Sequence, residues 1–188
     1  MKGVRVGQRG AAKLIPSTVK LRVSVFATSL GYWAILGCDQ ILHAVTIGQP
    51  HASAAQSAFP HPYDGLAIES TVSDWYPDLR LRLERYAAGD RVTFSDVKLH
   101  LPKVTTFQQQ IIEVTRKLKY GETITYGDLA ARSGRPRAAR AVGTVMSSNR
   151  FPIIVPCHRV VGAGGGLGGY SAPQGLSLKS RLLELECQ

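Results

Sequence analysis

Apolar positions follow two different rhythms along this chain of 188 residues. In the first half they come as short blocks rich in branched and aromatic residues. Residues 23–26, 32–36 and 42–47 are three such blocks and predict three strands, with turns at Ser29-Leu30-Gly31 and Cys38-Asp39-Gln40. The alanine-rich stretch 51–59 predicts a short helix. Residues 60–65 predict a loop, 79–87 a helix stopped by Gly89, and 97–101 a last strand. From Phe107 onward the rhythm changes. Phe107, Ile111, Val114 and Leu118 repeat every three to four residues, the period of a helix with one buried face. Residues 125–132 then predict a short helix, Ser133-Gly134-Arg135-Pro136 a tight turn, and 137–148 a second helix. Helix, glycine-bearing turn and helix form the helix-turn-helix pattern. The reading is therefore an α/β N-terminal domain over 21–103, followed by a mainly α C-terminal domain over 104–188 with a winged-helix-like helix-turn-helix. Residues 1–20 precede them as a basic, mobile tail.

Charge sharpens this division. The formal net charge is +10, and from residue 101 onward twelve Lys and Arg stand against five Asp and Glu. No acidic residue occurs from Leu129 to Leu183, whereas Arg132, Arg135, Arg137, Arg140, Arg150 and Arg159 all do. An acid-free basic stripe on a helix-turn-helix is the electrostatic footprint of a polyanion partner. The least charged early stretch, 23–38, is too short and too polar for a membrane span, so no membrane role is expected. Three cysteines without scaffold spacing fit a reducing compartment, cytoplasmic or nuclear.

The densest chemistry lies at Pro156-Cys157-His158-Arg159-Val160. The apolar run Phe151-Pro152-Ile153-Ile154-Val155 leads into it and predicts a buried extended segment. A thiolate is a strong nucleophile, but a free cysteine with a pKa of about 8.5 is mostly protonated at neutral pH. His158 and Arg159 are placed in sequence to lower that pKa or to take the proton. A structural cysteine beside a core histidine has the same local sequence, so surrounding motifs must decide.

They do decide. The pentapeptide, the apolar run before it and Arg140-Ala141-Val142-Gly143 upstream closely resemble the O6-alkylguanine-DNA alkyltransferase family, with good register over 107–186 and a weaker match over 23–102. The resemblance implies irreversible, single-turnover transfer of an alkyl group from O6-methylguanine in duplex DNA, and from O4-methylthymine, onto Cys157 after base flipping. It implies His158 as a base acting through a water, Glu186 as the acid orienting it, and Tyr126 as donor to the leaving guanine. It implies a minor-groove helix with Arg140 filling the vacated base position. The DNA-facing set would be Arg140, Tyr126, Ala138, Ala139, Gly143 and Ser147. Asn149, Val155, Val160, Tyr170, Ser171 and Lys179 would form or support the base pocket. Helical spacing adds one independent point: Lys179 and Glu186, seven apart, share a face. The N-terminal domain would support the other half without reacting.

Two further patterns carry less. The glycine-rich run 162–169 lacks the Gly-Lys-Ser/Thr of a phosphate loop; by resemblance it walls the base pocket. Cys38 and His43, with His100, resemble part of a zinc site found in some family members, but a second N-terminal cysteine is absent and a closed zinc site wants four ligands. No cofactor is expected to be required, structural zinc is not expected, and the chain is expected to act as a monomer. A non-catalytic alkylguanine sensor and a Cys-His hydrolase are the competing readings; the presence of Cys157 argues against the first.

Overall fold

A computed structural model describes residues 20–59, 63 and 65–187. The basic tail assigned to 1–20, Lys20 excepted, and most of the 60–65 loop lie outside them. The elements run β1 (Leu21–Thr28), β2 (Gly31–Cys38), β3 (Ile41–Gln49), α1 (Ala52–Ser57), β4 (Ile68–Val72), α2 (Pro77–Ala87), β5 (Lys98–Leu99), α3 (Thr106–Arg116), β6 (Ile124–Thr125), α4 (Tyr126–Arg132), α5 (Ala139–Ser147), β7 (Val160–Val161) and α6 (Gly175–Glu186). A sheet-containing N-terminal half is thus followed by a helical C-terminal region.

The three strands expected from the apolar blocks form an antiparallel meander, β1-β2-β3. Its second turn, Asp39-Gln40, places two successive residues at positive φ, the geometry that matches the twist of a two-residue hairpin. Two parallel strands add to the edges and give the order β4-β1-β2-β3-β5. The strand β4 was not expected. Its sequence, Ile68-Glu69-Ser70-Thr71-Val72, has apolar residues only at its ends, and pairing with β1 rather than propensity makes it a strand. The strand expected over 97–101 shrinks to the two residues of β5.

Helix α2 begins with Pro77 in its first turn, where a missing N–H costs nothing, and ends before Gly89 at φ +103°. Leu79, Leu83, Tyr86 and Ala87 are its buried face. Helix α3 opens with a capping box between Thr105 and Gln108. Helices α4 and α5 are joined by a turn in which Gly134 takes φ +78°, and they pack through Leu129, Ala130, Val142, Val145 and Met146. Ala138 is half-buried at the margin of this cluster.

The extended segment expected over 151–155 is corrected. Its apolar residues are buried, but the backbone turns rather than extends, and Ile153 adopts φ +73°. Burial on all sides produces the same apolar run as a strand, so the sequence pattern did not separate the two. One core cluster crosses the two halves: Trp33, Ile35, Leu42, Leu79, Leu83 and Tyr86 from the first pack with Phe151, Ile153, Ile154, Val155, Leu178 and Leu182 from the second. The sheet and α2 therefore form the bed on which the chain approaches Cys157.

Candidate active site and nucleic-acid interface

Cys157 opens a single turn of 3-10 helix, Cys157–Arg159, and is 8% exposed. It lines a cleft of about 440 Å³. Tyr126 at the start of α4, Arg140, Gly143 and Ser147 on α5, and Gly169, Tyr170 and Ser171 from the glycine-rich loop line the rest. Ala139 lines it too; Ala138 does not. Sequence spacing put Arg140, Gly143 and Ser147 on one face of a helix, and the fold turns that face onto the thiol.

Burial pushes the Cys157 thiol above its ordinary pKa, opposed by the Asn149 side chain, the Lys179 charge and the backbone N–H groups of Cys157 and His158. The resting sulfur is therefore a protonated thiol with groups in place to hold a thiolate. Asn149 ties the end of α5 to the loop that leads into Cys157: its amide donates to the Val155 carbonyl at 2.9 Å and its carbonyl accepts from Phe151 N–H at 3.0 Å. Lys179 is fully buried. It donates to the carbonyls of Val160, Leu167 and Gly169, which pins the glycine-rich loop to α6. Burial lowers the Lys179 pKa, and the nearby Cys157 raises it.

Behind the thiol, His158 is fully buried. Its Nε2 lies 2.9 Å from Glu186 Oε1, while its Nδ1 makes no hydrogen bond within the described residues. Burial lowers the His158 pKa, with Glu186 opposing. Glu186, in the last turn of α6, is anchored from several sides. Arg159 grips it with two hydrogen bonds of 2.8 Å, Gly121 N–H adds a third at 3.0 Å, and the Tyr86 hydroxyl donates a fourth at 2.6 Å. Burial alone would raise the Glu186 pKa, but the hydrogen bonds from His158 and Arg159 hold it far below the carboxylate range. Glu184, by contrast, is exposed, and its carboxylate accepts from the Ser180 hydroxyl.

The sequence placed Arg159 as a modulator of the thiol. The structure turns it the other way, onto Glu186 and the Leu118 carbonyl. Nor is the basic stripe continuous. Arg132 pairs with Glu122, Arg135 lies over the Phe107 ring, and Arg150 lies over Tyr63. Arg137 and Arg140 are exposed and make no ion pair within the described residues. Ser171 lines the cleft, and its hydroxyl donates to the Ser147 carbonyl at 3.0 Å. His43 and His100 stack at 4.1 Å, and no group of three or more His, Cys, Asp or Glu among the described residues is placed to hold an ion. Tyr86 and Gly121 were invisible as site residues in the sequence. Tyr86 sits on the apolar face of α2 and reads as core, and a backbone N–H carries no sequence signal.

The fold and the site define a protein with a cysteine in the wall of a cleft between a two-helix unit and a glycine-rich loop. Residues 106–188 match the family described as 6-O-methylguanine DNA methyltransferase, DNA binding domain. The methylated-DNA–protein-cysteine methyltransferase of Methanosarcina acetivorans is 45% identical over 113 residues, 60% of this chain and 70% of that protein. Among solved structures, Mycobacterium tuberculosis OGT in complex with DNA superposes with a TM-score of 0.71 at 32% identity, over 88% of this chain and 93% of that one. The O6-methylguanine-DNA methyltransferase from Pyrococcus kodakaraensis superposes with a TM-score of 0.66 at 27% identity, over 88% of this chain and 98% of that one. The chain belongs to the methylated-DNA–protein-cysteine methyltransferase family.

Proposed function

We propose that this chain repairs duplex DNA by moving the alkyl group of O6-methylguanine onto Cys157, once per molecule. The observation that carries this reading is the shared cleft: the thiol, Tyr126, Arg140 and Ser171 line one cavity. His158, acting from Nδ1 through one water, removes the thiol proton, and Glu186 stabilises the resulting imidazolium. The thiolate attacks the alkyl carbon, so a C–S bond forms as the C–O6 bond breaks. The electron pair leaves on the guanine, and the Tyr126 hydroxyl donates to the ring as charge develops. Burial raises the Tyr126 pKa, which suits a group that must arrive protonated. The thioether has no route back to a thiol in this site, so turnover stops at one. Nucleophile, base and donor all come from the chain, and the reaction calls for no cofactor.

A cysteine set in the wall of such a cleft, 8% exposed, reaches only a base taken out of the stack. Helices α4 and α5 serve as the helix-turn-helix, with the small-residue face of α5 entering the minor groove and Arg140 occupying the space the base leaves. O4-methylthymine presents the same alkyl–oxygen bond and is the second substrate. The protein acts as a monomer on DNA in the cytoplasm or nucleus. Incubation with O6-methylguanine duplex followed by intact mass and peptide mapping tests this. A single methyl gained on Cys157 is expected, lost in Cys157→Ala while DNA binding persists. Methyl on Cys38 or Cys187, or multiple turnover, would overturn it.

A further inference from the structure

The N-terminal half supplies one side chain to the buried relay. Tyr86, from the last turn of α2, is fully buried, yet its hydroxyl does not merely fill space. It donates to Glu186 Oε1 at 2.6 Å and lies 3.3 Å from His158 Nε2. Glu186 Oε1 is thus shared by His158, Arg159 and Tyr86, while Oε2 takes Arg159 and Gly121. Its ring is held from several directions, by Trp33 of β2, Phe94, Tyr120 and His158, with centroid separations between 6.1 and 6.5 Å. A side chain so fixed delivers its hydroxyl to one place.

We infer that Tyr86 is a positioning residue for alkyl transfer: its hydroxyl orients the Glu186 carboxylate and sets how strongly that carboxylate draws on the His158 proton. This rests on the proposed Cys157–His158–Glu186 relay. The physical argument is competition for one oxygen. Each donor on Oε1 withdraws electron density, so the carboxylate is a weaker acceptor for His158 Nε2–H than it would be alone. That keeps the imidazole from charging early and leaves it neutral, ready to accept the Cys157 proton. Tyr86 itself stays protonated, because burial and then the Glu186 charge push its pKa well up. The other charged or titratable groups facing this cluster are Arg159, Lys179, Tyr120, Tyr170 and Cys157.

The test is the pH dependence of single-turnover alkyl transfer from free O6-benzylguanine to the full chain, a substrate that requires no DNA. Tyr86→Phe keeps the ring and removes the hydroxyl. The acid limb of its rate profile is expected to move up by about half a pH unit to one unit as His158 becomes more basic, and the plateau rate to fall severalfold. Replacing Tyr86 with a ring-fluorinated tyrosine makes a stronger donor, so its limb is expected to move down. Opposite displacements are a signature that lost packing alone would not give. A Tyr86→Phe profile that superposes on the wild type, with Cys157 alkylated normally, would overturn the inference. Absence of transfer to Cys157 in the wild type would instead overturn the relay on which it rests. Should Tyr86→Phe fold poorly, the fluorinated protein decides by itself: an unmoved limb refutes the role.

Discussion

Asn149 reaches six residues along the chain to hold the Val155 carbonyl at 2.9 Å, and so links the last residues of the α4–α5 unit to the loop that presents Cys157. The same side chain lies against the thiol and favours its anion. Asn149→Ala is expected to leave the Phe151 N–H unmet and the Val155 carbonyl with the Cys157 N–H alone, at a cost of about 2 kcal/mol, read from urea denaturation. Asn149→Asp keeps the acceptor but sets a negative charge beside the sulfur. Its thiol pKa, from alkylation rates with a small reagent across pH, is expected to rise above that of both the wild type and the alanine variant. A lower value would show that Asn149 does not face the thiolate.

Glu186 gives a pH signature in stability. Its folded pKa is depressed, so its contribution is present above its ordinary value of 4.5 and is lost as pH falls below it. Removing the acid leaves Arg159 buried without its partner. Glu186→Gln is therefore expected to cost about 3 kcal/mol at pH 7. The melting-temperature gap between wild type and variant should be wide from pH 5 to 7 and narrow from about pH 4.5 toward pH 3, as the carboxylate takes up a proton in the unfolded chain while the folded site still refuses one. A gap that stays constant to pH 3 would mean that the charge is not what Glu186 contributes.

Which parts of this site could be seen in the sequence depends on what each residue type advertises. Cys157, His158 and Arg140 stand in separated motifs that agree in order and spacing, and spacing alone brought Lys179 and Glu186 to one face of α6, where both are buried. The three strands of the meander and the helices over 106–147 followed from apolar rhythm. What stayed hidden was tertiary. The strand β4 forms because β1 offers an open edge, the turns over 151–155 look like a strand because all sides are buried, and Tyr86 looks like core because it is core. Arg159, counted with the basic stripe, faces inward, and half-buried Arg150 lies over Tyr63 and Phe151, since a charge's direction is set by its partner and not by its neighbours in sequence.

Gly168 tests the loop wall. It takes φ +71°, and a Cβ there would sit 2.7 Å from the Tyr126 ring and 2.9 Å from its hydroxyl. Alanine is strained by the backbone alone and also displaces Tyr126. Gly168→Ala is expected to slow transfer from both free base and duplex by tenfold or more, a factor equivalent to about 1.4 kcal/mol, with little change in global stability because Gly168 lies in an exposed loop. Gly164, also at positive φ but with open space around it, serves as the control. Its alanine variant should transfer at nearly the wild-type rate, and equal losses at both positions would refute a contact-specific role for Gly168.

Arg140 separates flipping from chemistry. It is exposed on α5 and lines the cleft that holds Cys157, so it can act on DNA without touching the His158–Glu186 pair. Extruding a paired base costs a few kcal/mol, less for a damaged pair. If Arg140 occupies the space left behind, Arg140→Ala should slow single-turnover repair of O6-methylguanine in duplex DNA by about a hundredfold, some 2.7 kcal/mol. Free O6-benzylguanine needs no extrusion, and its rate should change less than twofold. Arg140→Lys should restore only part of the duplex rate, because an ammonium neither stacks nor forks as a guanidinium does. A duplex in which the lesion faces a mismatched or missing base should narrow the gap between wild type and Arg140→Ala, since less pairing remains to be broken. Equal losses on free base and duplex would assign Arg140 to the pocket or the fold, and the intercalating role would fall.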